Sequence, residues 1–424
     1  MIIEFSVKNF RSIKELQTLS FMATKLKSNK AKYPEIDNLN IVEDTGIPLL
    51  KTIGIYGANA SGKSNIVRAL EFFFKAISEL PSPESRLNSL VDPFLYQESP
   101  NDTESFFQII LILEGKKYRY GFTVKRNLNI EKEDDSKEIV TNEWLYGPKE
   151  SNQVKLFLRN DLDIDKDSMP NGSSIPDMQY KHQLFLTHAA SFDKGICASI
   201  RNFINGYTAN NYTKGVEYFR FHAIRYLSDE YGKRDFLEFL SEFNIHYDDI
   251  SLEKDADATF SPYFPQNKIH ITKYLYNDPK TKYELNLKDT ESEGTKKLFD
   301  LSGLFMTAFN VPRGGGLIIL DEIDSNFHPS LLIKLIRFFN NPEINRANSQ
   351  LLFTSHDTNL LDPSIMRRDQ FYFTEKDEKE ATKLYALSSL KGIRNDADFA
   401  RQYLAGFYGA IPTLDDHLDI KLSQ

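Results

Sequence analysis

Eight residues, Gly57-Ala-Asn-Ala-Ser-Gly-Lys-Ser64, constrain this chain more than any other stretch. They follow Leu49 to Tyr56, an apolar run with the character of a buried strand. They precede Ile66, Leu70, Phe73, Phe74 and Ile77, which recur at helical spacing. A strand, a glycine-rich loop and a helix in that order build an anion cradle. Glycines let backbone N–H groups turn inward, and the helix start adds the positive end of its dipole. The pattern G-x-x-x-x-G-K-[ST] in this context predicts nucleotide binding, with ATP and Mg²⁺ as ligands. Asn59, Ala60, Ser61, Gly62 and Asn65 are expected to line the phosphates, Lys63 to bridge the β and γ phosphates, and Ser64 to ligate the metal.

A metal on a triphosphate needs a carboxylate partner, and Gly-Leu-Ile-Ile-Leu-Asp-Glu-Ile-Asp at 316–324 supplies one. Asp321 ends an apolar strand, which suits it to position Mg²⁺. Glu322 follows and is the expected general base that polarises the attacking water.

Composition narrows the setting. The 424 residues exceed the roughly 250 to 300 at which single cores stop growing, so more than one lobe is expected. A net charge of -8 removes whole-chain attraction to nucleic acid and leaves a local basic groove open. The single Cys197 excludes an intramolecular disulfide framework and points to a reducing compartment, the cytoplasm. Glu4 and Lys8 interrupt any leader-like apolar stretch, and apolar runs such as Ile109 to Leu113 fall far below the roughly 18 residues a membrane span needs. No membrane association is expected.

The pattern along the chain predicts an α/β protein. Residues 2–10 alternate as a half-buried strand, and 106–124 read as a hairpin turning at Glu114-Gly115. Pro81, Pro83 and Pro93 break the helix after the glycine-rich loop, and Glu131 to Glu138 is a charge run. Phe236 to Phe243 carries helical periodicity, strand-like segments return at 268–276 and 283–287, and Gly316 to Leu320 reads as a buried parallel strand. The expected division is an ATPase head, amino-terminal part, at 1–128, a mainly helical insertion at 129–250, and the remainder of the head at 251–424. Asp161, Asp163 and Asp165 imitate an EF-hand start, but Lys166 stands where the sharp turn needs glycine, so a solvated acidic loop is expected.

Further elements occur in a telling order. Asn9-Phe-Arg-Ser-Ile13 opens the chain, Ser292-Glu-Gly-Thr295 heads a helix, Asp324 to Pro329 follows the paired acids, and Thr354-Ser-His-Asp357 follows another apolar strand. In this order the chain resembles the ABC-type P-loop ATPases of the RecF, SMC and OLD kind. The tail Tyr403 to Pro412 is similar to the stand-alone bacterial phage-defence members, the RloA-like group. The resemblance implies an ABC-type head with a mixed sheet, in which 57–64 is Walker A, 316–322 Walker B, 324–329 the D-loop and Ser292 and Gly294 a shortened signature. It further implies that Ser292 and Gly294 contact the nucleotide of an opposite copy and that His356 senses the γ-phosphate. Ser292 could also be a plain N-cap, and Arg11 suits either a phosphate or nucleic-acid contact or an exposed turn. The Q-loop glutamine is not identified, Gln97 and Gln108 both remaining open.

The implied function is ATP-driven closure of a homodimer or higher even oligomer, regulating a separate effector, a Toprim-like nuclease or a toxin, in antiviral defence. The alternative is a RecF-like repair or recombination ATPase that binds DNA directly.

Overall fold

The computed structural model describes residues 1–78, 92–126, 138–149, 152–205, 217–254, 267–310 and 316–412. Pro81, Pro83, residues 131–137 of the charge run, and Gly314 and Gly315 before the apolar strand lie outside them. The chain forms two compact units, one of residues 2–206 and 353–424, the other of residues 207–352 with Met1.

The first unit opens with β1 (Ile2–Lys8), β2 (Gln17–Ser20), the short helix α1 (Ile36–Asn40), β3 (Ile41–Asp44), β4 (Ile47–Leu50) and β5 (Thr52–Gly57). The apolar run expected as one strand is thus two. Lys51 breaks it: its N–H donates to Asn40 O (3.2 Å), its Nζ donates to Leu39 O (3.1 Å), and burial pushes its pKa down to about 8. Next come α2 (Lys63–Ser78), β6 (Ser105–Leu113), β7 (Lys116–Arg126), β8 (Glu138–Lys149), β9 (Asn152–Asn160), β10 (Asp163–Asp165), α3 (Phe185–Phe192) and α4 (Ile196–Asn205). The β6–β7 hairpin turns at Glu114 (φ 51°) and Gly115 (φ 71°), the doubly left-handed turn that matches strand twist.

Strands β10-β9-β8-β7-β6-β1-β2 form one antiparallel sheet. Within 129–250, where a mainly helical segment is expected, β8 and β9 extend this sheet and the α-helices begin at Phe185. Val140, Leu145 and Phe157 are buried, but apolar Ile139, Trp144 and Leu158 beside them are less buried, so the polar–apolar alternation that marks a half-buried strand is blurred. The three EF-hand-like aspartates serve the β9–β10 turn, where Lys181 pairs with Asp161 and Lys155 with Asp165.

Helix α2 lies on this sheet through aromatic rings. Phe72 meets Phe107 at 4.7 Å between centroids, and Phe73 stacks on Phe122 at 5.6 Å and meets Phe5 edge-on at 5.7 Å. Each buries enough apolar surface to contribute about 2 to 3 kcal/mol, so the helix that carries the phosphate loop is anchored to the sheet through its second half. A second anchor is polar. Glu143 is fully buried: its carboxylate accepts from the Phe185 and Leu186 amides at the start of α3 (2.6 and 2.8 Å) and from Tyr120 Oη (2.9 Å), and it pairs with Arg159 (3.3 Å), also fully buried. Cys197, on α4, is buried and free, and burial pushes its thiol pKa up, away from thiolate chemistry.

The second unit holds α5 (Glu217–Tyr226), α6 (Glu230–Ser241), β11 (Asp249–Lys254), β12 (Asn267–Leu275), β13 (Asp278–Asn286), α7 (Leu287–Thr290), α8 (Glu293–Phe309), β14 (Leu317–Leu320) and α9 (Pro329–Asn340). Strands β11-β12-β13 form an antiparallel sheet whose Ile250, Ile269 and Ile271 pack with Phe236, Leu240 and Phe299. Helix α8 crosses α5 at Gly303, where a β-carbon would stand 2.2 Å from Ala223 N. Only glycine admits that approach. Arg220 grips buried Asp300 with two bonds, at 3.0 and 3.2 Å.

At β15 (Gln350–Thr354) the chain returns to the first unit, which it completes with β16 (Phe371–Lys376), β17 (Thr382–Ala386) and α10 (Phe399–Leu404). There β16 runs parallel to β5 and antiparallel to β17. The architecture is α/β with mixed sheets. Among the described residues no helix is long and apolar enough to cross a membrane.

Candidate active site

The candidate residues fall into two groups, one in each unit. In the first unit, β5 ends at Gly57 and α2 begins at Lys63, with the loop between them at the carboxyl ends of parallel β5 and β16. Gly57 (φ 153°) and Gly62 (φ 109°) adopt backbone that favours glycine, and Ala60 (φ 61°) is left-handed. A β-carbon on Gly62 would stand 2.0 Å from Thr382 Oγ1, and one on Gly57 would stand 2.5 Å from Thr374 O. The glycines are therefore required by close approach as well as by torsion. Lys63 is buried, and its Nζ donates to the carbonyls of Gly57 (2.9 Å) and Ala58 (3.0 Å), so the ammonium lies over the loop. Ser64 is half-buried in the first turn of α2, and Asn59 and Ala60 are exposed at the loop's crest.

Beneath the crest runs a hydroxyl relay that sequence reasoning missed. Thr382 Oγ1 donates to Ser61 O (3.0 Å), so its single proton is committed and Ser12 Oγ must donate to it (2.7 Å). Asn65 Nδ2 then donates to Ser12 Oγ (2.6 Å), while Ser61 Oγ shares a bond with Thr374 Oγ1 (2.7 Å). Asn65, a predicted phosphate neighbour, thus acts in part from below, through the 10–13 turn. That turn is closed by paired bonds between Phe10 and Ile13 (2.8 Å each). His356 follows β15 and is exposed; Ser355 N donates to Ile55 O (3.1 Å), which places His356 at the loop end of β5. Arg11 (φ 52°) turns to Asp92, its Nε 4.0 Å from the carboxylate, and desolvation lowers its pKa. Gln97 Nε2 donates to Asn9 Oδ1 (2.7 Å), and Gln108 accepts from Trp144 Nε1 (3.2 Å), so both have bonding roles around the antiparallel sheet.

The relay makes a prediction. Gly62→Ala forces the loop off Thr382, an overpacking of about 1 to 3 kcal/mol. Nucleotide affinity is expected to fall by about 10- to 100-fold, read by titration with a fluorescent ATP analogue. Unchanged affinity would show that the loop's shape does not depend on this contact.

In the second unit, Asp321 is 8% exposed at the end of β14, and Glu322 is exposed in left-handed backbone (φ 51°), a conformation costing about 1 to 2 kcal/mol for a non-glycine residue. The chain then turns tightly: Ser325 N donates to Glu322 O (3.1 Å), Phe327 N to Asp324 O (3.3 Å), and Asn326 is again left-handed (φ 66°). His328 caps α9 ahead of Pro329. Ser292 caps α8, accepting from Thr295 N (3.2 Å), as one of its two expected roles requires. Gly294 has a steric duty: a β-carbon there would stand 2.5 Å from Asn326 O.

The residue sequence reasoning missed here is Lys297, in the second turn of α8 and 2% exposed. Its Nζ donates to Ser325 O (2.7 Å) and Ser325 Oγ (2.8 Å), lies 3.5 Å from Ile323 O, and sits 4.6 Å from the centroid of the Phe327 ring. Burial pulls its pKa down to about 8, opposed by the charges of Asp324 and Glu322. The signal was present in the sequence: Lys297 shares a helical stripe with Leu301 and Leu304, where a charge needs a buried partner.

Residues 53–362 match the family described as "AAA domain, putative AbiEii toxin, Type IV TA system". No curated protein matches the chain. Among solved structures the chain is similar to the SMC head domain from Thermotoga maritima, at 13% identity and a TM-score of 0.42, covering 91% of this chain and 98% of that one. A second is the SmcHead bound to the C-winged helix domain of ScpA, at 14% identity and a TM-score of 0.40, covering 91% and 97%. The family match takes in well over half of the chain, from the phosphate loop through the paired acids to His356, and the chain belongs to this AAA-domain family of P-loop ATPases.

Proposed function

We propose that the chain is a Mg²⁺-dependent ATPase whose copies close in pairs around ATP and reopen on hydrolysis, and that this cycle controls a separate effector in bacterial antiviral defence. The observation that supports it most is the phosphate loop, where glycines stand at positions no side chain could share and the Lys63 ammonium lies over the loop carbonyls. Phosphate oxygens compete with those carbonyls for Lys63, and the start of α2 offers them its amides. Ser64 and Asp321 each carry a hard oxygen donor of the kind Mg²⁺ takes, and the ion would neutralise charge on the β and γ phosphates. Glu322 takes the proton of the attacking water, and Lys63 stabilises the charge that develops. Ser292 and Gly294 face the nucleotide of the opposite copy, and His356 hydrogen-bonds its own γ-phosphate.

The family description names a toxin–antitoxin system, which supports a defence role with a second component. The tail, similar to the RloA-like group, supports the same reading, and the setting that goes with it is cytoplasmic. Light scattering of Glu322→Gln with Mg-ATP is expected to give twice the mass of the nucleotide-free protein, and Lys63→Met to show neither doubling nor turnover. An unaltered chain that turns over no Mg-ATP would overturn the ATPase reading, and an unchanged mass would overturn the pairing. Turnover stimulated by DNA and suppressed by salt would move the reading to DNA repair.

A further inference from the structure

The turn that bears Glu322 has an unusual construction. Two residues, Glu322 and Asn326, are left-handed within five positions, and the carbonyls of Ile323 and Ser325 point into the protein. Buried carbonyls need donors, and a side chain from another element supplies one. Lys297 reaches Ser325 O at 2.7 Å and Ser325 Oγ at 2.8 Å, with Ile323 O at 3.5 Å. Gly294, one turn earlier on α8, lets Asn326 O approach to where its β-carbon would be, so the same helix holds the far end of the turn by shape.

We propose that Lys297 is a positioning residue for hydrolysis: by holding the carbonyls after Glu322 it sets the direction of the Glu322 carboxylate, and it takes no part in binding the nucleotide. The inference rests on the assignment of Glu322 as the base. Strained backbone persists only where its surroundings over-determine it, and Lys297 and Gly294 add to the Ser325–Glu322 and Phe327–Asp324 backbone bonds in over-determining this turn. Without the ammonium, Ser325 O and Oγ lose a shared donor, the backbone bonds of the turn hold Glu322 less firmly, and its carboxylate is no longer aimed in one direction. Misplacement of a catalytic group by about 1 Å costs on the order of 100-fold in rate.

The test uses the full chain in five forms: unaltered, Lys297→Met, Ser325→Ala, Glu322→Gln and the double variant Glu322→Gln/Lys297→Met. Steady-state Mg-ATP turnover gives kcat, and titration with a fluorescent ATP analogue gives Kd. Lys297→Met is expected to lower kcat by about 10- to 100-fold with Kd unchanged. Ser325→Ala, which keeps the carbonyl and removes one acceptor, should show the same kcat-only loss on a smaller scale; it carries the test if Lys297→Met does not fold. In the double variant the Lys297 substitution should add nothing to the loss from Glu322→Gln, because both act through one group. A kcat retained in Lys297→Met, a Kd that weakens along with it, or losses that multiply in the double variant would each overturn the proposal. An unaltered chain without turnover overturns the ATPase reading and this inference with it; normal turnover with an indifferent Lys297→Met overturns the inference alone.

Discussion

Replacing Glu322 by Gln is expected to lower ATP turnover by about 100- to 10,000-fold, the range a positioned general base contributes, while leaving nucleotide binding intact. Gln keeps the shape of Glu and its capacity to orient a water, but cannot accept that water's proton. The left-handed backbone at position 322 costs Gln about what it costs Glu, so the comparison isolates proton transfer from folding. Single-turnover kinetics against Kd is the measurement. If the phosphoryl-transfer step in Glu322→Gln proceeds at the unaltered rate, another group is the base, and the adjacent carboxylates Asp321 and Asp324 become the ones to test.

Arg159→Met is expected to destabilise the first unit by about 3 to 5 kcal/mol, because it leaves a carboxylate in the core without its counter-charge. Glu143 would keep the two α3 amides and the Tyr120 hydroxyl, but those do not replace a buried guanidinium. The effect has a pH signature. Burial already raises the pKa of Glu143 above the ordinary carboxyl range, with Arg159 the largest opposing influence; removing Arg159 raises it further. In the unfolded chain Glu143 loses its proton at the ordinary carboxyl pKa, whereas in the folded variant it keeps the proton to higher pH. Between those two points the folded state binds more protons, so stability falls as pH rises. The penalty of Arg159→Met should therefore be largest near neutrality and shrink as pH falls toward the ordinary carboxyl pKa. Denaturant titrations at several pH values measure it, and a pH-independent penalty would show that the loss is one of packing. Glu143→Gln/Arg159→Met should recover part of the loss, because no charge is left stranded.

What the sequence made legible was local. The glycine pattern of 57–64 sits between a strand and a helix, and both observed elements end within the motif, because phosphate-loop geometry is written in adjacent residues. Asp321 and Glu322 were readable for the same reason: four apolar residues drive a strand into the core, and the first acids after it mark its end. The supports of these residues were not readable. Thr374 and Thr382 lie more than 300 positions from the loop they hold, and nothing in the spacing of two threonines on ordinary strands announces that their hydroxyls face Ser61. Strands β8 and β9 were hidden because apolar Ile139, Trp144 and Leu158 stand at less buried positions and blur the alternation, and they were taken into a helical insertion. Lys297 was hidden in another way. It stands beside Lys296, whose ion pair with Glu293 on the helix surface is unremarkable, and only its phase with Leu301 separates a buried clamp from a solvated charge.

The hydroxyl relay beneath the phosphate loop joins positions 12, 61, 65, 374 and 382, so the loop is bound to both extremes of its own unit. A ribosome delivers the glycine-rich motif early and the strand bearing Thr382 some 300 residues afterward, which at about 5 to 20 residues per second is a delay of roughly 15 to 60 seconds. During that interval the loop has its sequence but not its floor. The loop thus gains its hydroxyl support only once β16 and β17 have been made, and a chain cut short before them carries the glycine-rich motif without the Thr374 and Thr382 bonds to Ser61.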